Sequence, residues 1–139
     1  MLRILCIDDN EHGRIVRRHI LEEHGYEVLT AKSGRDGLEK FKNQKVDLAI
    51  VDYLMPEMNG HEVIKLLRKA APKLPIILLS GYADTLALDR KVPEADAVLN
   101  KGRPREVKEL LETVERLLRR RYKKPGARSG PSSARRRQA

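Results

Sequence analysis

Asp8 and Asp9 close the apolar run Ile4-Leu5-Cys6-Ile7, and Asp52 closes Leu48-Ala49-Ile50-Val51. Short apolar runs that stop at carboxylates read as buried parallel strands whose carboxyl ends reach solvent. In open α/β sheets that edge is where ligands bind. Three carboxylates gathered there repel one another, and a hard cation such as Mg2+ relieves the repulsion.

The elements that must position these residues alternate along the chain. The pattern predicts strands over about Leu2–Ile7, Glu27–Ala31, Val46–Val51, Pro75–Leu79 and Ala95–Asn100. Between them it predicts four helices. Asn10 caps one that runs to about His24 and stops at Gly25; Ser33 caps one through about Asn43. Asn59 or Gly60 starts the third, to about Ala71, and the fourth spans Ala83–Lys91 before Pro93. In the last helix Val107, Leu110, Leu111, Val114, Leu117 and Leu118 follow the spacing of one buried face. In the first helix His24 continues a Val16–Ile20 stripe and reads as half-buried packing. Strands alternating with helices imply a doubly wound α/β fold, a parallel sheet covered on both sides.

At 139 residues the chain reads as one domain with a core that needs no disulfide. It shows no run of eighteen apolar residues and no signal-peptide layout, so the expectation is a cytoplasmic protein without membrane insertion. The lone Cys6, inside an apolar run, fits a reducing compartment and an inert thiol. The net charge of +9 is unevenly placed. Nine Lys or Arg and no acid fall in residues 119–139, which leaves 1–118 with 20 of each sign. The domain is thus expected over 1–121 and a basic tail over 122–139, disordered from about Lys123. That tail could neutralise phosphates of nucleic acid or touch an acidic partner, though few aromatics accompany it. The four histidines lack metal-ligand spacing, and neither a nucleophile–histidine arrangement nor a Gly-rich nucleotide loop is present.

Asp8-Asp9, Asp52, the stretch Met55-Pro56-Glu57-Met58-Asn59-Gly60, Ser80-Gly81-Tyr82 and Lys101 occur in the order and at the strand ends that characterise one family. Over residues 1–121 the chain resembles the receiver domain of bacterial two-component response regulators, in the CheY-like, single-domain form. The resemblance implies a flavodoxin-like, five-stranded sheet of order 2-1-3-4-5 flanked by five helices. It implies that Asp52 accepts phosphate from a sensor histidine kinase or phosphotransfer protein, without turnover of an external substrate. Asp9, Asp52 and the main-chain carbonyl of Leu54 would hold Mg2+ (or Mn2+), with Asp8 acting through water or hydrogen bonds. Lys101 would pair with Asp52 and then with a phosphate oxygen. Ser80 would be the switch hydroxyl, with Gly81 and Tyr82 moving in its loop, and the output would be binding to a downstream protein.

Two positions depart from the family pattern. Val98 stands where an aromatic ring usually gates the switch, and Gly102 stands where proline usually follows the lysine. These departures put the coupling in question rather than the chemistry, and leave a constitutive adaptor or pseudo-receiver as an alternative. A second is binding of nucleic acid through the tail. A turnover phosphatase would need an acid where Leu54 stands.

Overall fold

The computed structural model describes residues 1–81 and 85–122, of which 85 and 86 by backbone alone. Five strands, β1 (Arg3–Ile7), β2 (Glu27–Ala31), β3 (Leu48–Asp52), β4 (Ile76–Ser80) and β5 (Ala97–Asn100), form one sheet. All pairings are parallel and the order is β2-β1-β3-β4-β5. The connecting helices are α1 (Glu11–Glu23), α2 (Gly34–Asn43), α3 (Gly60–Ala70), α4 (Thr85–Lys91) and α5 (Glu106–Arg121). This is the flavodoxin-like, doubly wound fold that the alternation implied.

Side chains alternate across a strand, so each central strand feeds two cores. Leu5, Ile7, Ala49, Val51, Ile76 and Leu78 face one side, where Val63, Ile64 and Leu67 of α3 meet them. Ile4, Cys6, Leu48, Ile50, Ile77 and Leu79 face the other, against Leu21 of α1 and Leu110, Val114, Leu117 and Leu118 of α5. Burying each Leu or Ile fully is worth about 2 kcal/mol. The frame under the acidic edge is therefore rigid. Burial also pushes the Cys6 thiol up to about 12, so it stays protonated and inert.

The predicted caps are made. Asn10 accepts from the Gly13 N–H, Ser33 from the Asp36 N–H, and Asn59 forms a reciprocal capping box with Glu62. Several edges move by two residues or fewer. β3 begins at Leu48 rather than Val46, because the Arg3 N–H donates to the Asp47 side-chain Oδ2 at 2.8 Å instead of to a main-chain carbonyl that would continue the ladder. β4 extends to Ser80 and β5 begins at Ala97. The expected start of α4 at Ala83, the switch residue Tyr82 and the tail beyond Tyr122 lie outside the described residues.

Two packing expectations are corrected. Val107 is 45% exposed, because the first turn of α5 borders an open groove beside α1, and Thr113 takes a place on the buried face instead. His24 is exposed at the end of α1, its Nδ1 2.9 Å from the Ile20 carbonyl oxygen. The buried face of α1 runs through Arg17 and Leu21, one position away from the Val16–Ile20 stripe. Among the described residues no helix is long and apolar enough to cross a membrane.

Candidate functional site

Topology brings the chemistry-bearing residues to one edge. Asp8 and Asp9 follow β1, Asp52 ends β3, Ser80 ends β4 and Lys101 follows β5. Because β3 lies between β1 and β4, Asp52 sits at the middle of the row. A cavity of about 400 Å³ opens there, lined by Asp9, Asn10, Asp52, Leu54, Gly81 and Lys101.

Asp52 is buried, and its Oδ1 lies 2.7 Å from Lys101 Nζ. Burial pushes its carboxyl above the usual range. The Lys101 hydrogen bond opposes that rise and the neighbouring Asp8 charge adds to it. One carboxylate oxygen from each of Asp8, Asp9 and Asp52 lies within 4.8 Å of the others. Octahedral Mg2+ with bonds near 2.1 Å spaces its ligand oxygens by about 3 to 4.2 Å. Three carboxylate oxygens within 4.8 Å of one another lie close to that spacing, and Asp9 is exposed to solvent.

Asp8 is engaged on every side. Its Oδ1 accepts from the Asn10 N–H at 2.9 Å, and its main-chain oxygen accepts from Arg14 Nη1 at 2.8 Å. Its Oδ2 pairs with Arg17 Nη2 and lies 3.9 Å from Lys101 Nζ. Arg17 is itself buried, and its Nη1 reaches Glu106 Oε2 at 3.5 Å. The sequence reading missed Arg17 because a cation on a helix counts as polar. The available signal was Leu21 four residues later, in register with Gly13 four residues earlier.

The loop after β3 approaches its own strand closely. Gly60 donates to the Tyr53 carbonyl at 2.8 Å, and a Cβ there would lie 2.5 Å from the Asp52 carbonyl oxygen. The contact is backbone to backbone, so only glycine lets α3 start beside Asp52.

Ser80 is buried next to this cavity, with its carbonyl accepting from the Lys101 N–H at 2.8 Å. Gly81 is exposed and lines the cavity, as does Leu54. Val98 packs partly buried against the α3-side core, opposite Leu78. Gly102 has φ +81, a backbone that proline cannot adopt. Its N–H donates to Glu106 Oε1 at 2.6 Å.

A five-stranded parallel sheet with a lysine-paired aspartate and two further carboxylates at its carboxyl edge defines a receiver-type signalling domain. Residues 4–115 match the family model described as response regulator receiver domain, and the chain belongs to that family. It is 33% identical over 117 residues to the chemotaxis protein CheY of Thermotoga maritima, covering 82% of this chain and 98% of that protein. It is 31% identical over 116 residues to the alkaline phosphatase synthesis transcriptional regulatory protein PhoP of Bacillus subtilis, again over 82% of this chain. There the match spans 48% of the relative, about half its length. The solved response regulator protein TrrA of Thermotoga maritima, in complex with Mg2+-BeF, superposes with a TM-score of 0.77 at 37% identity. That match covers 84% of this chain and 99% of TrrA.

Proposed function

We propose that the chain is a phosphorylation-dependent signalling module that takes a phosphoryl group on Asp52 from a histidine kinase or phosphotransfer protein. The observation that carries this reading is Lys101 Nζ at 2.7 Å from a buried Asp52, within 4.8 Å of two more carboxylates. An Asp52 oxygen attacks the phosphorus of a phosphohistidine. The new O–P bond forms as the P–N bond breaks, and the imidazole nitrogen keeps the electron pair. Asp52 is held in place by its strand, and Lys101 neutralises charge on the transferred oxygens. Asp9, Asp52 and the Leu54 carbonyl would hold Mg2+, which supplies further charge neutralisation. Asp8, already bound by Asn10 and Arg17, would act at one remove. Water attack on the acyl phosphate later restores Asp52 and releases inorganic phosphate. The domain thus promotes its own phosphorylation and dephosphorylation rather than turnover of an external substrate.

Ser80 and Gly81 are the switch residues in this reading. With Val98 in place of an aromatic ring, the shift between states runs through their loop, and a downstream protein reads it. The receiver unit spans 1–121 and the basic extension 122–139, a division supported by the end of α5 at Arg121. Incubation with Mg2+ and a small phosphodonor tests the proposal. A base-labile, acid-stable phosphate that is lost in Asp52→Asn is expected. No uptake by the unmodified chain would refute it.

A further inference from the structure

The α1 helix carries an arginine where its buried face meets the acidic edge. We propose that Arg17 is a positioning residue, an internal counter-cation that grips Asp8 and sets how strongly the pocket binds a divalent metal. This rests on the reading of Asp9 and Asp52, with Asp8 at one remove, as a metal-binding set.

Three observations carry it. First, Arg17 is 7% and Asp8 3% exposed at the side chain, so neither charge is screened by water as a surface pair would be. A buried cation within reach of the carboxylates opposes entry of a second cation. Second, Gly13 sits one turn before Arg17 in α1, where glycine costs a helix about 1 kcal/mol relative to alanine. A Cβ at Gly13 would fall 2.6 Å from Arg17 Nη2 and 3.0 Å from Asp8 Oδ2. The missing side chain is the space through which the guanidinium reaches the carboxylate. Third, Glu106 Oε2 lies 3.5 Å from Arg17 Nη1 while its Oε1 holds the Gly102 N–H. Glu106 therefore faces the other guanidinium nitrogen of Arg17 and ties it to the turn just after Lys101. The set Asp8–Arg17–Glu106 links the first strand's carboxylate to the start of α5.

Charge counting shows the consequence. Asp8, Asp9, Asp52 and Glu106 against Lys101 and Arg17 leave two net negative charges to attract a divalent ion; without Arg17 there are three. A unit charge roughly 7 Å from a divalent ion changes affinity about tenfold at the dielectric of water and by more in a drier pocket, so about tenfold is the least change expected.

The experiment is Mg2+ titration of the full, unphosphorylated chain by calorimetry, with melting temperatures recorded in EDTA and in saturating Mg2+. Arg17→Met, which keeps the stem and removes the charge, is expected to bind Mg2+ at least about tenfold more tightly. It should melt lower than wild type in EDTA and gain more from Mg2+. Gly13→Ala, which displaces the guanidinium without changing charge, is expected to tighten binding as well. If Arg17→Met does not fold, Gly13→Ala decides the matter: tighter Mg2+ binding supports the inference, and unchanged or weaker binding overturns it. Mg2+ binding by wild type with unchanged or weaker binding in Arg17→Met overturns the inference alone. So does a melting deficit that is equal with and without Mg2+, which is the mark of packing. No Mg2+ binding by wild type overturns both the inference and the metal-site reading beneath it.

Discussion

Replacing Asp52 by asparagine removes one carboxylate from a buried cluster and leaves its shape almost intact. At an effective dielectric of about 20, Asp8 and Asp9, whose oxygens lie within 4.8 Å, each repel Asp52 by about 3.5 kcal/mol. Lys101 at 2.7 Å attracts it by about 6 kcal/mol on the same scale. These terms largely offset, Arg17 adds a further attraction, and burial, the largest effect, tips the sum against the ion. The raised carboxyl pKa of Asp52 states the same preference. In metal-free buffer at neutral pH, Asp52→Asn is therefore expected to stabilise the fold by about 1 kcal/mol, raising Tm by about 4 °C. This runs against the usual cost of breaking a buried ion pair. The pH dependence carries the same sign. A carboxyl whose folded pKa lies above its unfolded value gives full stability below the unfolded pKa and loses it as pH rises through the folded pKa. Wild type should show that decline and Asp52→Asn should lack it. At Mg2+ ten times above its dissociation constant, wild type gains about 1.4 kcal/mol. The variant, short of one ligand, gains less, so the stability order closes or reverses. Urea unfolding in EDTA and in Mg2+, across mildly acidic to neutral pH, measures all of this. A variant less stable than wild type by more than about 1 kcal/mol in EDTA, with a deficit that Mg2+ leaves unchanged, would refute the electrostatic argument.

Gly60→Ala pushes a methyl group into the Asp52 backbone and should cost about 2 kcal/mol in denaturant unfolding, together with slower phosphate uptake. A fully stable, fully active variant would show that α3 can shift without disturbing the acceptor. Tyr122→Phe removes the hydroxyl that donates to Asp47 Oδ1 and should cost about 1 kcal/mol at pH 7. Burial raises the Asp47 pKa, but the Tyr122 hydroxyl and the Arg3 N–H outweigh it and leave the carboxyl below its ordinary value. That stability is present above the unfolded carboxylate pKa and vanishes as pH falls through the folded one. The gap between wild type and Tyr122→Phe should therefore narrow in acid, as acid-unfolding curves would show.

Much of this was legible in the sequence because local and global signals agree. Apolar runs ending at Asp8 and Asp52 fixed strand ends, and Asn10, Ser33 and Asn59 fixed helix starts. The sheet order followed from the family likeness rather than from periodicity, which does not distinguish neighbours among similar parallel strands. What was illegible depended on contacts distant in sequence. The Gly13–Arg17–Leu21 spacing marks the buried face of α1, but that Asp8 and Glu106 await a cation there is not written along the helix. Val107 obeys the helical period yet faces an open groove, since periodicity reports a face and not where that face runs out of neighbours. Thr113 is the converse, a polar residue on the packed side.

Asp47 also receives Arg121 Nη1 on its main-chain oxygen at 2.8 Å, so two residues at the end of α5 fasten to the residue just before β3. A pull on the chain beyond Tyr122 thus enters the molecule at the base of the central strand, not at the periphery. Five residues along that strand lies Asp52. Mechanical load at the C-terminal end of the helix and chemistry at the sheet edge share a single rod.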